Sequence, residues 1–324
     1  MMFLYIILLI ISFIALIKGA DIFVDGSTGI ARIFHVSGLV IGLTVVALGT
    51  SAPELAVSTA AALHGSNEIA LSNVIGSNLF NTLMVLGIGA CIRSLPVEES
   101  VVKRDFPVSI IAAVFVLIVT GIGVLPIKFT TMGMSENTGT LVRPAAIALL
   151  VGFVVYLASL IIEAGKNPEE EEASGKVSIL KSIIMIIVGI ALIVAGGQGV
   201  VFSAQNIARS LGLSETLIGL TVVAVGTSLP ELVTSLVAAG KGETSLAVGN
   251  AVGSNIFNIM FILGVSCSIH PVSANVASTY DMLITIVISL ITWFFCATGR
   301  KITRLEGAFM VLCYIGTMVF AIMR

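Results

Sequence analysis

Two glutamates stand where the surrounding sequence calls for hydrocarbon. Glu54 closes the run Gly49-Thr50-Ser51-Ala52-Pro53-Glu54, and Glu231 closes Gly226-Thr227-Ser228-Leu229-Pro230-Glu231, each between apolar stretches. Each is followed by a second polar interruption, Gly76-Ser77-Asn78-Leu79-Phe80-Asn81 and Gly253-Ser254-Asn255-Ile256-Phe257-Asn258. Every donor these motifs offer is a carboxylate, amide, hydroxyl or carbonyl oxygen. Such a set suits hard cations such as Ca2+, Na+ or Mg2+ rather than zinc or copper. A carboxylate near the bilayer centre costs about 2.5–3.5 kcal/mol on the mildest scale. Two of them roughly 5 Å apart, at an effective dielectric near 20, repel by about 3 kcal/mol. No Lys or Arg lies mid-span in either half to neutralise them. A cation or a proton must do so.

The elements that carry these residues are duplicated. Residues 42–87 recur without a gap as residues 219–264, with 25 of the 46 positions identical and a constant offset, 231 − 54 = 177. Ser-x-Pro-Glu reads as a capping box with proline in the first turn, so each span is broken partway through. The break would free carbonyls near Ala47, Thr50, Ala224 and Thr227. Bare carbonyls survive in a bilayer only where they face protein, water or a ligand, and the negative end of a half-helix suits a cation. Asn73, Ser77 and Asn81 share one helical face at i, i+4 and i+8, as do Asn250, Ser254 and Asn258. Polar side chains also glue membrane helices together. For Asn73 and Asn250 both roles stay open, whereas Ser77, Asn81, Ser254 and Asn258 are read as part of the site.

The chain has 324 residues, 57% of them apolar and only 10% charged, with a mean hydropathy of +1.13. A soluble domain carries about a quarter charged residues, so lipid is the solvent here. Runs of about 20 apolar residues predict ten spans near 3–23, 37–63, 68–92, 107–126, 144–163, 178–198, 214–239, 245–269, 280–298 and 304–323. The predicted fold is therefore an all-α polytopic membrane protein of ten transmembrane helices in two five-helix repeats. Five is odd, so the second half enters from the opposite side and the repeats are inverted. The expected divisions are 1–164, a cytoplasmic linker at 165–177, and 178–324. The first span has counterparts at the same offset and belongs to the repeat rather than to a cleaved signal.

Eleven basic residues fall in loops on one side (Arg32, Arg93, Lys103, Arg104, Lys166, Lys176, Lys181, Lys241, Arg300, Lys301 and Arg304). Four fall on the other (Lys128, Arg143, Arg209 and Arg324). The positive-inside rule makes the richer side cytoplasmic and leaves both termini extracytoplasmic. Cys91, Cys267, Cys296 and Cys313 form no metal-ligand spacing and read as packing residues. His35, His64 and His270 lie at span ends or in loops, which argues against an intramembrane enzyme. Nothing in the chain implies a cofactor, a nucleic acid or a protein partner.

The duplicated GTSAPE/GTSLPE and GSNLFN/GSNIFN motifs resemble the two alpha-repeats of the cation/calcium exchanger superfamily, and the sequence is similar to prokaryotic sodium/calcium exchangers over nearly its whole length. The resemblance implies an antiporter in the cell membrane that exchanges Na+ for Ca2+ by alternating access. In such proteins Glu54 and Glu231 would be the central calcium ligands, with Thr50 and Thr227. Ser51, Ser228, Ser77, Ser254 and the backbone at Ala47 and Ala224 would complete the calcium and sodium sites, flanked by Asn81 and Asn258. Some relatives, including potassium-dependent exchangers, carry Asp at the position of Asn258. The neutral amide disfavours potassium co-transport and leaves the central charge at −2. Proton/calcium exchange, potassium-dependent sodium/calcium exchange and a passive cation channel are the competing readings. Proton/calcium exchangers typically use a different glutamate motif, and the chain lacks the filter signature of a channel.

Overall fold

The computed structural model describes residues 2–65, 67–121, 133–166, 178–211 and 224–323. Seven helices in it are long and apolar enough to cross a membrane: α1 (Met2–Phe34), α4 (Glu68–Ile92), α6 (Arg143–Gly165), α7 (Ile179–Ser210), α10 (Thr244–Ile269), α11 (Val276–Gly299) and α12 (Arg304–Met323). An eighth crossing is a broken pair, α2 (Gly38–Thr50) and α3 (Ala52–Leu63), bent by 49°. Helix α5 (Phe106–Gly121) follows a π turn at Val101–Asp105, and α8 (Ala224–Thr227) leads through Ser228 into α9 (Leu229–Lys241). Helices thus stand at each of the ten expected positions. Residues 214–223, assigned above to the seventh span, lie outside the described residues, as do residues 122–126 of the fourth span and 167–177 of the expected linker.

Local chemistry sets several helix starts. Ser37 accepts from the Val40 N–H at 3.2 Å, and Asn275 accepts from the Ser278 N–H at 2.8 Å. These side chains satisfy donors that have no partner inside the helix.

Helices α4 and α10 form the middle of the molecule: 67% and 78% of their most apolar windows are buried, against 17% for α1 and α12. Apolar side chains such as Phe3, Val154, Ile187 and Leu312 stand exposed on the outer helices. An apolar surface this extensive belongs in lipid, not water.

Two short antiparallel sheets show the inversion directly. Strand β1 (Leu95–Pro96) pairs with β4 (Lys301–Ile302), and β2 (Asn137–Leu141) pairs with β3 (Val272–Asn275). Leu95 and Val272 are repeat equivalents, since 272 − 95 = 177. Yet β3 sits at the start of α4, where the Asn275 amide donates to Glu68 at 3.2 Å. Strand β1 sits at the end of α4, where the Arg304 guanidinium donates to the Ile92 carbonyl at 3.2 Å. Equivalent strands occupy opposite ends.

Helices α1 and α7 pack along their length with almost no gap. A Cβ on Gly196 would stand 2.6 Å from the Leu16 nitrogen, and one on Gly19 2.8 Å from the Ile193 nitrogen. These four residues are equivalent across the repeats, and only glycine lets the two backbones approach so closely. The end of α9 is tied to α1 as well: Lys241 Nζ lies 2.7 Å from an Asp21 carboxylate oxygen and 2.5 Å from one of Asp25. The equivalent positions, His64, Gln198 and Phe202, carry no such charge pair.

Candidate cation site

Both motif glutamates are wholly buried, at 0% exposure, beside the broken spans. Ser51 and Ser228 occupy the residue before α3 and α9, and neither side chain caps its own helix. Instead, Ser51 Oγ donates to Glu231 Oε1 at 2.8 Å, and Ser228 Oγ donates to Glu54 Oε1 at 3.0 Å. The capping-box reading is therefore corrected. A cap would use the hydroxyl's lone pair on a backbone N–H. Here each hydroxyl is turned away from its own helix and gives its proton to a buried carboxylate, a strong charge-assisted acceptor. Each repeat's serine serves the other repeat's glutamate.

The helix break is also gentler than the sequence suggests. The Ala47 carbonyl is not bare, because it accepts the Ser51 N–H at 3.0 Å and lies 3.4 Å from Thr50 Oγ1. Backbone bonding resumes at once, with the Leu55 N–H on the Ser51 carbonyl at 3.1 Å. Proline carries no N–H for the carbonyl four residues back, so Pro53 and Pro230 withdraw the partner of Gly49 and Gly226. Ala224, the equivalent of Ala47, opens α8.

Hydroxyl and amide groups stand beside the Glu54 carboxylate. Ser77 Oγ lies 3.4 Å from Glu54 Oε1 and 2.9 Å from Ser228 Oγ. Asn258 reaches Ser77 through its amide nitrogen at 3.1 Å. Asn81 and Asn258, both at 0% exposure, stand at π turns spanning Asn81–Val85 and Phe257–Ile262. Such single-turn bulges concentrate at functional sites. Several buried polar atoms here have no hydrogen-bond partner among the described residues: Glu54 Oε2, Glu231 Oε2, Thr227 Oγ1, Ser254 Oγ, Asn258 Oδ1 and both ends of the Asn81 amide. Native interiors leave few such groups unsatisfied. Six of these seven atoms can accept a cation.

Asn73 and Asn250, left open above, brace the site. The Asn73 amide donates to the Glu54 carbonyl at 3.3 Å and to Ser58 Oγ at 3.0 Å. Asn250 repeats this on the Glu231 carbonyl at 3.3 Å and Ser235 Oγ at 2.9 Å. Asn250 Oδ1 also accepts from Thr50 Oγ1 at 3.0 Å, which ties that threonine to α10. Ser58 and Ser235 were missed by the sequence reading, as were Asn78 and Asn255. The signal was present, since each pair recurs at the offset of 177.

A family model described as sodium/calcium exchanger protein matches residues 4–162 and 181–323. The chain belongs to the sodium/calcium exchanger protein family. The exchanger is 35% identical over 322 residues to the CaxA protein of Alkalimonas amylolytica, covering 96% of each chain. It is 34% identical over 341 residues to sodium/calcium exchanger MaX1 of Methanosarcina acetivorans, covering 96% of this chain and 97% of that one. Its fold superposes on the sodium-calcium exchanger NCX_Mj, soaked with 10 mM Na+ and zero Ca2+, with a TM-score of 0.83 and 31% identity over 98% and 99% of the two chains. The exchanger is therefore a multi-pass membrane antiporter of the cation/calcium exchanger family and not an enzyme.

Proposed function

We propose that the exchanger couples inward Na+ flow to Ca2+ extrusion through one shared site. The observation that carries this reading is the pair of buried glutamates. Each has one carboxylate oxygen held by the opposite repeat's serine and the other left without a partner. Two formal negative charges balance one Ca2+ or two Na+. A single cage can hold either species but not both fully, and competition for it supplies the coupling.

Glu54 and Glu231 would be the central ligands. Thr50, Thr227, Ser51, Ser228, Ser77 and Ser254 would add hydroxyl oxygens. Ala47, through its carbonyl's second lone pair, and Ala224 would add backbone ones. Asn81 and Asn258 would flank the centre as neutral groups, so the charge stays at −2, which weakly disfavours potassium co-transport. The identity of MaX1 as a sodium/calcium exchanger and the Na+, Ca2+ and Sr2+ soaks of NCX_Mj support the same choice of ions. The distribution of Lys and Arg supports extracytoplasmic termini, with 1–164 and 178–324 as the two repeats about a cytoplasmic linker.

Radioactive Ca2+ uptake into inside-out vesicles tests the reading. Uptake should follow an imposed Na+ gradient and vanish in Glu54→Gln and in Glu231→Gln. Near-normal flux in both variants would remove the site. Uptake driven by a pH gradient without Na+ would assign the coupling to protons, and flux indifferent to any counter-ion would make the protein a channel.

A further inference from the structure

An asparagine amide has a donor end and an acceptor end of nearly the same shape, and only the oxygen is useful to a cation. What fixes the choice at Asn258 is a chain of hydrogen bonds that begins at a peptide group. The Asn78 amide nitrogen donates to the Asn255 backbone carbonyl at 3.0 Å. A carbonyl oxygen can only accept, so Asn78 must turn its NH2 group there and its Oδ1 the other way. That oxygen, also acceptor-only, receives the Asn258 amide nitrogen at 3.0 Å. Asn258 Oδ1 is then the end left buried and without a partner.

Ser77 makes the same demand independently. Its hydroxyl has a single proton and lies among oxygens, at 2.9 Å from Ser228 Oγ and 3.4 Å from Glu54 Oε1. A lone pair is what it can offer to Asn258, 3.1 Å away. Reversing the Asn258 amide would set two oxygens against each other at Asn78 and draw the Ser77 proton off the carboxylate side. Both asparagines are buried, at 2% and 0% exposure, so water cannot relieve the conflict.

We infer that Asn78 is a positioning residue that locks the Asn258 amide with its oxygen as the free end, giving the cation cage an acceptor where an unconstrained amide could equally present NH2. The inference rests on the cage being the cation site. The relay serves one repeat only. At the equivalent position, Asn255 gives its NH2 to the Thr82 hydroxyl at 2.9 Å, a group that can donate as readily as accept. Asn81, the equivalent of Asn258, has neither amide end bonded. Thr82 itself corresponds to Ile259, since 259 − 82 = 177, so that hydroxyl has no counterpart.

The test uses the property that separates an amide from a carboxylate. Asp has two acceptor oxygens and no wrong way round, so a carboxylate at position 258 needs no relay. Purified full-length exchanger in detergent is titrated with Ca2+ and its melting temperature is followed, which reads binding whether or not a variant transports. Asn78→Leu, close to isosteric, should raise the half-saturating Ca2+ about tenfold, as expected when a buried polar contact is lost. In an Asn258→Asp background the same change should leave the half-saturating Ca2+ unchanged or lower it, because a carboxylate oxygen then faces Asn78 Oδ1 and the relay it replaces has gone. Asn78→Ala, run through the same cycle, guards against a packing fault peculiar to leucine. Additive effects in both cycles, or an unchanged titration in Asn78→Leu, would overturn the relay. A Ca2+ response that survives in Glu54→Gln would instead overturn the cage, and with it the reading on which the relay depends.

Discussion

Each glutamate depends on a residue 174 or 180 positions away in the chain, and this cross-over is the feature of the site most open to mutation. Removing the hydroxyl in Ser51→Ala leaves Glu231 Oε1 without the donor at 2.8 Å. Ser228→Ala removes the nearer donor, at 3.0 Å, from Glu54 Oε1. Hydrogen bonds to charged groups contribute about 1.5–3 kcal/mol, so each variant should raise the half-saturating Ca2+ for uptake by about tenfold to a hundredfold. Ser51→Ala should cost the more, because Glu54 Oε1 keeps Ser77 Oγ at 3.4 Å when Ser228 is truncated. Unchanged uptake in both would mean that the serines merely fill space. The types and spacing of the oxygen donors were legible in the sequence. Which repeat each serine serves was not, because a cap and a cross-repeat bond require the same residue at the same position. Asn73 and Asn250 show the limit again: both roles fit the sequence, and only the contacts to Glu54 and Glu231 backbone assign them as braces.

Among the elements, α1 and α7 run as a close-packed pair outside the core formed by α4 and α10. Their glycines do not provide flexibility but absence of volume. A side chain at Gly196 must displace the Leu16 backbone, which stands 2.6 Å from where its Cβ would be. Overpacking of this kind costs about 1–3 kcal/mol, and Gly196→Leu should lower the melting temperature in detergent by several degrees. Gly316→Ala, on α12, meets nothing within 4 Å and should leave it within a degree or so. Equal losses in the two would show that helix propensity rather than backbone contact decides. The ion pairs from Lys241 to Asp21 and Asp25 join this pair to α9 at one end only. The repeats are thus alike in backbone and unlike in the charges that hold them.

For the whole molecule, inversion brings two chemically equal motifs to one buried place from opposite ends, as the strands Leu95–Pro96 and Val272–Asn275 at opposite ends of α4 attest. The excess of Lys and Arg on the face that carries Arg93, Lys103 and Arg300 predicts the orientation. With the four native cysteines replaced, a cysteine introduced in place of Arg300 should react with a membrane-impermeant thiol reagent only from the cytoplasmic side. One at Arg143 should react only from outside. The reverse pattern would invert the direction of transport assigned to each face.

The sequence by itself determined the membrane as solvent, the duplication, the odd number of spans per repeat and the oxygen-only chemistry at Glu54 and Glu231. Those are consequences of composition and spacing, which a linear string records in full. Only the tertiary structure decided that Ser51 and Ser228 reach across instead of capping, that the Ala47 carbonyl is already taken, and that Asn78 fixes one amide and not its mirror image. Hydrogen bonds have a direction, and in a duplicated chain the same residues can satisfy them within a repeat or between repeats. The choice is made by which acceptors the packed helices leave without water.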